Sequence, residues 1–133
     1  MLEQHISVAQ SLRPQEVNAD ATVTGEDVDL AGYDAATVVI DVGAWATDGT
    51  NTFEVQEADD DGAGSPDTYA AVAAADLNGT EPVVDGATDD DQIYQLEYIG
   101  GKRWIRVVVV TTANTSGTLQ LAASVARGKA RKV

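Results

Sequence analysis

The stretch that decides the fold runs from Tyr94 to Val110 and reads YQLEYIGGKRWIRVVVV. Apolar and polar residues alternate on both sides of Gly100-Gly101, which is the pattern of two half-buried β-strands. Glycine adopts the positive φ that a two-residue primed turn needs, so the pair predicts a tight hairpin in which Leu96 faces Ile105. The inner face of this hairpin is predicted to form the centre of the core: Tyr94, Leu96, Ile105, Val107 and Val109.

A second hairpin is predicted from Ala36 to Ala58. Asp48-Gly49 is a strong turn signal between two alternating segments. Pairing across this turn places Ala44 against Phe53, so apolar residues meet on one side. The strand before the turn is predicted to direct one set of residues inward: Val38, Ile40, Val42 and Ala44.

Short strands separated by frequent turn signals, with almost no helical periodicity, predict a single all-β domain. The expected architecture is an antiparallel β-sandwich of jelly-roll-like type. We expect an N-terminal arm or edge strand over residues 1–14, stopped by Pro14. The sandwich is predicted over residues 15–127 and a basic C-terminal tail over 128–133. In the last strand, the small residues opposite the apolar face of 119–125 predict close packing against a neighbouring element or subunit.

Charge is distributed unevenly along the chain. The 133 residues contain 22 Asp or Glu and 8 Lys or Arg, which gives a formal net charge of −14, and no Lys or Arg occurs between Pro14 and Gly101. An acidic body repels nucleic-acid phosphates, so we expect no direct nucleic-acid binding. No apolar run approaches the roughly 20 residues of a membrane-spanning helix. The first residues lack the apolar core of a secretory signal, so we expect no membrane partner and synthesis in a cytoplasm.

Few residues suited to catalysis are present. The chain has no cysteine, and its one histidine, His5, has no nucleophile or base near it in sequence. Thiol chemistry and multi-histidine metal sites are therefore excluded, and a Ser-His-Asp triad would depend on His5. No glycine-rich phosphate-binding motif occurs. These features predict a protein that is not an enzyme, with no catalytic residues and no cofactor.

The acidic loops are the remaining candidates for a metal site. Glu57, Asp59 and Asp61 match the opening of a calcium-binding EF-hand loop, but Thr68 replaces the glutamate that closes such a loop. A second acidic loop lies at 89–91. Acidic loops are more often solvated turns, so we predict no metal site. The weak candidate ligands are Asp59, Asp61, Asp89 and Asp91.

The basic residues and Trp104 are the candidates for an interface with another protein. Tryptophan and arginine are enriched at the centres of such interfaces, and Trp104 and Arg106 share the outer face of the first predicted hairpin. Trp104 is predicted either to lie in an interface or to be covered by another part of the same chain. The basic tail is predicted to contact an acidic protein surface or to have no partner. The candidate interface residues are Lys102, Arg103, Trp104, Arg106, Arg127, Lys129 and Arg131.

The run YIGGKRWIRV, from Tyr98 to Val107, resembles a stretch of small virion proteins of tailed bacteriophages and prophages. The order around it is similar too: a valine-rich strand, an Asp-Gly turn, and the strand and acidic loop from Phe53 to Gly62. A closing strand from Leu119 to Arg127 completes the resemblance, which covers residues 36–127. In these features the chain resembles capsid decoration, or head-stabilising, proteins. The resemblance implies a non-enzymatic subunit present in many copies on the capsid exterior, often as trimers.

From the resemblance we expect a virion structural protein that decorates and stabilises the capsid of a tailed phage. Its expected partners are the major capsid protein and copies of itself in a homotrimer. Its expected location is the capsid surface, after synthesis in the host cytoplasm. Two alternatives stay open: a neck, tail or spike module of the virion, and a calcium- or carbohydrate-binding adhesion module on the same sandwich fold.

Overall fold

A computed structural model describes residues 5–129, which form eleven β-strands and one short 3-10 helix. The strands are β1 (Ile6–Val17), β2 (Ala21–Thr24), β3 (Val28–Asp29), β4 (Ala35–Ala46), β5 (Thr50–Ala58), β6 (Ala70–Ala71), β7 (Leu77–Asn78), β8 (Val83–Val84), β9 (Gln92–Tyr98), β10 (Trp104–Thr112) and β11 (Thr118–Gly128). The 3-10 helix, Ala74–Asp76, lies between β6 and β7.

The strands form two antiparallel sheets that pack against each other, so the predicted all-β sandwich is confirmed. Sheet A has the order β1-β11-β4-β9-β7. Sheet B has the order β2-β10-β5-β6, and β3 and β8 add to β10 and β5 respectively. Neighbours in space are therefore mostly distant in sequence.

The core lies between the two sheets and is built from the alternating apolar residues of the long strands. The inner face predicted for 94–110 is confirmed, because Leu96 and Val107 are fully buried and Tyr94 packs against the core from a partly buried position. Burial of each large apolar side chain contributes about 1.5–3 kcal/mol. The largest fully buried side chains include Leu12, Ile40, Phe53, Leu96, Ile105 and Leu119.

The predicted hairpin at 94–110 is wrong in its strand pairing. β9 pairs with β4 and β7 in sheet A, whereas β10 pairs with β5, β2 and β3 in sheet B. The segment 99–103 therefore crosses from one sheet to the other, and the two strands face each other across the core. Neither glycine of the Gly100-Gly101 pair has a positive φ. Gly100 is instead needed for close approach, because a Cβ there would lie 2.5 Å from the Tyr98 hydroxyl oxygen.

The second predicted hairpin is wrong for the same reason. β4 lies in sheet A and β5 in sheet B, although the chain does turn at Asp48-Gly49, where Gly49 has a φ of 104°. Ala44 is exposed and not buried against Phe53. The pairing of β4 with β11 contains a bulge between Leu119 and Leu121, which turns Trp45 towards the core in place of Ala44.

The predicted N-terminal arm belongs to the sandwich. β1 is the edge strand of sheet A, and it continues past Pro14 to Val17. Its pairing with β11 shifts register between Leu12 and Gln15, so Pro14 lies in an irregular part of an edge strand, where a missing N–H is tolerated. The predicted boundary at residue 14 is therefore not a structural boundary. Of the predicted tail, residues 130–133 lie outside the described part of the chain.

A buried hydroxyl joins β1 to sheet B. The Ser11 hydroxyl donates to the Glu26 carbonyl oxygen at 3.0 Å and accepts the Val107 N–H at 2.9 Å. Beside it, the Gly25 N–H donates to the Val107 carbonyl oxygen at 2.9 Å. A Cβ at Gly25 would lie 2.5 Å from that carbonyl oxygen, so only glycine fits. The edge strand of one sheet is thus hydrogen-bonded to the middle of the other.

We expect Ser11→Ala to lower the free energy of unfolding by about 1–3 kcal/mol, because it leaves the buried Val107 N–H without an acceptor. Urea denaturation measures the change. The matched control is Ser124→Ala on the partly exposed outer face of β11, which should change stability by no more than about 0.5 kcal/mol. Equal effects of the two substitutions would contradict this role for Ser11.

Candidate contact surface

The start of β10 brings basic residues to one end of the sandwich. Trp104 pairs with Ala58, the last residue of β5, and with Asp29 in β3. The acidic loop that follows β5 and the short strand β3 are therefore placed beside the segment that leads into β10. We call the resulting group the Arg103 cluster: Asp29, Asp59, Asp60, Lys102, Arg103 and Trp104.

Arg103 is at the centre of this cluster. Its Nε and Nη2 donate to the two carboxylate oxygens of Asp29 at 2.9 and 3.0 Å, which is the bidentate geometry that suits a guanidinium. Its Nη1 lies 3.2 Å from Asp60 Oδ1. Lys102 forms a second ion pair, with 2.8 Å between Nζ and Asp59 Oδ2. Two of the candidate interface residues, Lys102 and Arg103, are therefore paired with carboxylates of the same chain.

Trp104 is partly covered by its own chain. Its indole Nε1 donates to Asp60 Oδ1 at 3.2 Å, and the Arg103 guanidinium carbon lies 5.1 Å from the ring centroid. The side chain remains only partly buried. Of the two predicted placements, cover by the same chain holds for the indole N–H, and the residue as a whole remains partly exposed.

The hydrogen bonds of the cluster shift the pKa values of its charged groups. The bidentate bond from Arg103 lowers the pKa of Asp29, while partial burial opposes that shift. The Trp104 indole N–H lowers the pKa of Asp60. The partner carboxylates raise the pKa values of Lys102 and Arg103. All these groups are therefore charged near neutral pH.

Arg127 and Lys129 lie at the same end, around Tyr33. The Arg127 guanidinium carbon is 4.7 Å and the Lys129 ammonium nitrogen 5.6 Å from the Tyr33 ring centroid, distances that suit cation–π contact. Arg127 also donates from Nη1 to the Asp29 carbonyl oxygen and from Nη2 to the Ser7 hydroxyl, each at 2.9 Å. A cleft of about 350 Å³ lies beside them, lined by Tyr33, Tyr98, Lys102 and Arg103.

The remaining predicted interface residues are Arg106 and Arg131. Arg106 is on the outer face of sheet B, where its Nε donates to Gln56 Oε1 at 2.8 Å and its guanidinium carbon lies 3.8 Å from the Tyr69 ring centroid. The Tyr69 hydroxyl donates to Asp27 at 2.8 Å. Burial and this bond raise the pKa of Tyr69. Arg131 is outside the described residues.

Carboxylates of both acidic loops accept hydrogen bonds or form ion pairs within the chain. Asp61 Oδ1 accepts the backbone N–H groups of Ala63 and Ser65 at 2.7 and 3.3 Å. Asp59 is bound by Lys102. In the second loop, Asp89 Oδ2 accepts the Asp85 N–H at 3.5 Å, and Asp91 donates its N–H to the Gly43 carbonyl at 3.0 Å. Within residues 5–129, no three His, Cys, Asp or Glu side chains are grouped so that they could hold a metal ion.

Sequence reasoning missed Asp29, Asp60 and Tyr33. Asp29 lies 74 residues from Arg103 along the chain, and no local motif distinguishes it from the other acidic residues. Asp60 belongs to a loop whose carboxylates suggested calcium, whereas its neighbours are an arginine and an indole N–H. Tyr33 carries no sequence signal for the two cations around it.

A scan against protein-family models finds no match, and a search of curated proteins finds none either. Within residues 5–129, no helix is long and apolar enough to cross a membrane. The candidate function therefore depends on the residues of this chain and on what its motifs resemble.

We expect the Arg103–Asp29 pair to contribute about 0.5–1 kcal/mol, since both side chains are about one-third exposed and solvent screens the charges. A double-mutant cycle with Arg103→Met and Asp29→Asn measures the coupling. The pKa of Asp29 is lower in the folded chain, so the coupling is present above the ordinary value of 3.8 and is lost as the pH falls through the lowered value.

The matched control for this cycle is the more exposed pair Arg13–Glu26, which is separated by 3.2 Å. Its side chains are 72% and 64% exposed, so its coupling should be under about 0.3 kcal/mol at any pH. Equal coupling in the two pairs, or coupling at Asp29 that persists in strong acid, would contradict the assignment.

Proposed function

We propose that this chain is a non-enzymatic virion structural protein that decorates and stabilises the capsid exterior of a tailed phage. One observation carries the proposal. Two stretches that take part in the resemblance to decoration proteins, 53–62 and 98–107, are distant in sequence but adjacent in the fold. β5 and β10 pair in continuous register from Thr50–Thr112 to Ala58–Trp104, and the loop after β5 is bound by Lys102 and Arg103.

The Arg103 cluster is the surface that we assign to the shell contact. Its hydrogen bonds hold the acidic loop and the Trp104 ring in place before any partner binds, which reduces the ordering cost of association. The partly open indole and the adjacent guanidinium are the groups that most often dominate interface energies. Because its cations are paired with carboxylates, this end presents less repulsion to an acidic shell than unpaired acidic loops would.

The proposed partner is the major capsid protein. A decoration protein has to bridge subunits of an assembled lattice, which requires a rigid body and a fixed contact surface and no reacting groups. The sandwich supplies the rigid body through its continuous core. Ion pairs and cation–π contacts fix the contact end.

We expect the protein to co-sediment with empty shells of the virus's own major capsid protein and to add density to their outer surface in electron micrographs. Trp104→Ala should weaken this binding roughly 30-fold, the loss of about 2 kcal/mol typical of a central interface residue. Failure of the wild-type chain to bind shells overturns the proposed function. Normal binding by Trp104→Ala overturns only the assigned surface.

Trp45→Ala is the matched control for this experiment. Trp45 is also partly buried, but it lies near the end of β4, and the start of β4 is what lies beside the Arg103 cluster. The Trp45 Nε1 donates to the Gly49 carbonyl at 3.0 Å. The Trp45→Ala substitution therefore removes an indole side chain from a place outside the assigned surface. Its shell affinity should equal that of the wild-type chain at a temperature where both variants are folded.

Thermal melting with added calcium separates this proposal from a calcium-dependent adhesion module. A decoration protein of this kind should melt at the same temperature with and without calcium. A calcium site would add about 2.7 kcal/mol when the free ion is at 100 times its dissociation constant. A clear rise in melting temperature with calcium, absent with magnesium, would favour the adhesion module.

A further inference from the structure

The first half of β1 is an open strand edge. Among residues 5–129, β1 pairs only with β11, and it forms one end of sheet A. The Lys129 N–H donates to the His5 carbonyl oxygen at 2.9 Å, so His5 and alternate residues after it direct their backbone groups towards β11. Ile6, Val8 and Gln10 therefore direct their N–H and C=O groups away from the sheet. Along the strand, this open edge ends at Ser11, whose carbonyl oxygen accepts the Glu26 N–H at 2.7 Å.

The open edge lacks the features that normally prevent strands from associating. Such features are charged residues, proline, bulges and very short edge strands. The second half of β1 has three of them: Arg13, Pro14 and two shifts of register. The other outer strands of the sheets are β7, β2 and β6, which have only two to four residues each. β7 covers β9 only at Glu97 and Tyr98, so Gln92–Leu96 of β9 is also unpaired on its outer side, but Asp91 and Glu97 flank it. In the described part of the chain, Ile6–Gln10 is the long open edge that no acidic residue flanks.

The side chains of this edge are apolar and exposed. Ile6 and Val8 are 64% and 65% exposed, the highest values among the large apolar residues of the described chain. On β11, Ile6 pairs with Gly128 and Val8 pairs with Ala126, so both lie beside small residues. A strand added at this edge would therefore meet no bulky side chain and would cover both exposed residues.

The distribution of charge along the chain indicates which partner strand this open edge would accept. A chain with a net charge of −14 repels its own copies almost everywhere, yet neither 5–12 nor 118–129 contains an Asp or Glu. The edge formed by β1 and β11 is therefore where two copies can approach with least repulsion. Ile6–Gln10 is also uncharged, so it carries no group that would select a strand of a different protein by charge.

We propose that two copies associate through this edge, β1 against β1 of the partner, in antiparallel pairing about a two-fold axis at Val8. Ile6 then pairs with Gln10 of the partner subunit, and Val8 pairs with the partner's Val8. Only a two-fold axis at Val8 pairs the whole of Ile6–Gln10 in one copy with the whole of Ile6–Gln10 in the other. It also places the outward N–H groups of each copy opposite the outward C=O groups of the other. Sheet A becomes continuous through the pair. A three-fold assembly through this same edge would not form the two-fold pairing, so the two arrangements exclude each other at this edge.

Single cysteines test the register, because the chain has no cysteine of its own. The paired Cα atoms at position 8 would be about 5.5 Å apart, within the range of about 4.4–6.8 Å that a disulfide spans. Val8→Cys should therefore form a disulfide-linked dimer under mild oxidation. Gln10→Cys is the matched control, because its two copies would be offset by about 14 Å along the strands and should not crosslink.

Solution mass tests the association itself. The wild-type chain should sediment at twice the 13.9 kDa of one chain. Val8→Lys should sediment as one chain because it places like charges opposite each other, and Ile93→Lys, at a similarly exposed apolar position on β9, should stay at twice that mass. Circular dichroism of both variants establishes that they are folded.

A wild-type mass of one or three chains would overturn the pairing, as would equal crosslinking at positions 8 and 10 or none at position 8. A dimer abolished by Val8→Lys, with crosslinking at position 8 alone, supports it. A strand of another protein at this edge would leave the purified chain monomeric and so counts against the inference. This test uses no capsids, so its result is independent of the capsid-binding experiment.

Discussion

The two sheets depend on one shared layer of apolar side chains. Val38 and Ile40 from sheet A, and Val55 and Val107 from sheet B, are inaccessible to solvent because each sheet covers the other. Two turns that look like hairpin turns, at 47–49 and 99–103, carry the chain across this layer. Polar residues of those crossings can only lie at the ends of the sandwich, where they reach water. The location of the Arg103 cluster follows from that constraint.

Polar contacts then join elements that the core alone would leave loosely connected. The Ser11 hydroxyl links the edge of sheet A to β10 in sheet B, and Arg127 links β11 to β1 and β3. The ion pairs are partly exposed, so each contributes little compared with core burial. Their main consequence is geometric, since they hold the acidic loop after β5 against the start of β10.

The charge distribution divides the surface into regions with different uses. Acidic residues cover the segments between Pro14 and Gly101, which favours solubility at high local concentration. Lys102 and Arg103 lie at one end, paired with carboxylates, and belong to the surface proposed to meet a shell. The open edge Ile6–Gln10 and the paired strand β11 have no carboxylate, and this edge is the surface proposed to meet a second copy. The two proposed contacts involve different strands.

The sequence by itself determined which residues lie inside. Alternation placed Leu96 and Val107 correctly because the direction of a side chain depends only on its position along its own strand. It failed at Ala44, where a bulge in the pairing with β11 reverses the alternation. Of the candidate site, sequence patterns indicated the cations and Trp104 but neither Asp29 nor the pairing of the charges. Only the tertiary structure decided which strands are neighbours and which carboxylate meets Arg103, because these choices depend on contacts between residues far apart in sequence. Arg103 and Asp29 are 74 residues apart, and the paired residues Ile6 and Gly128 are 122 apart.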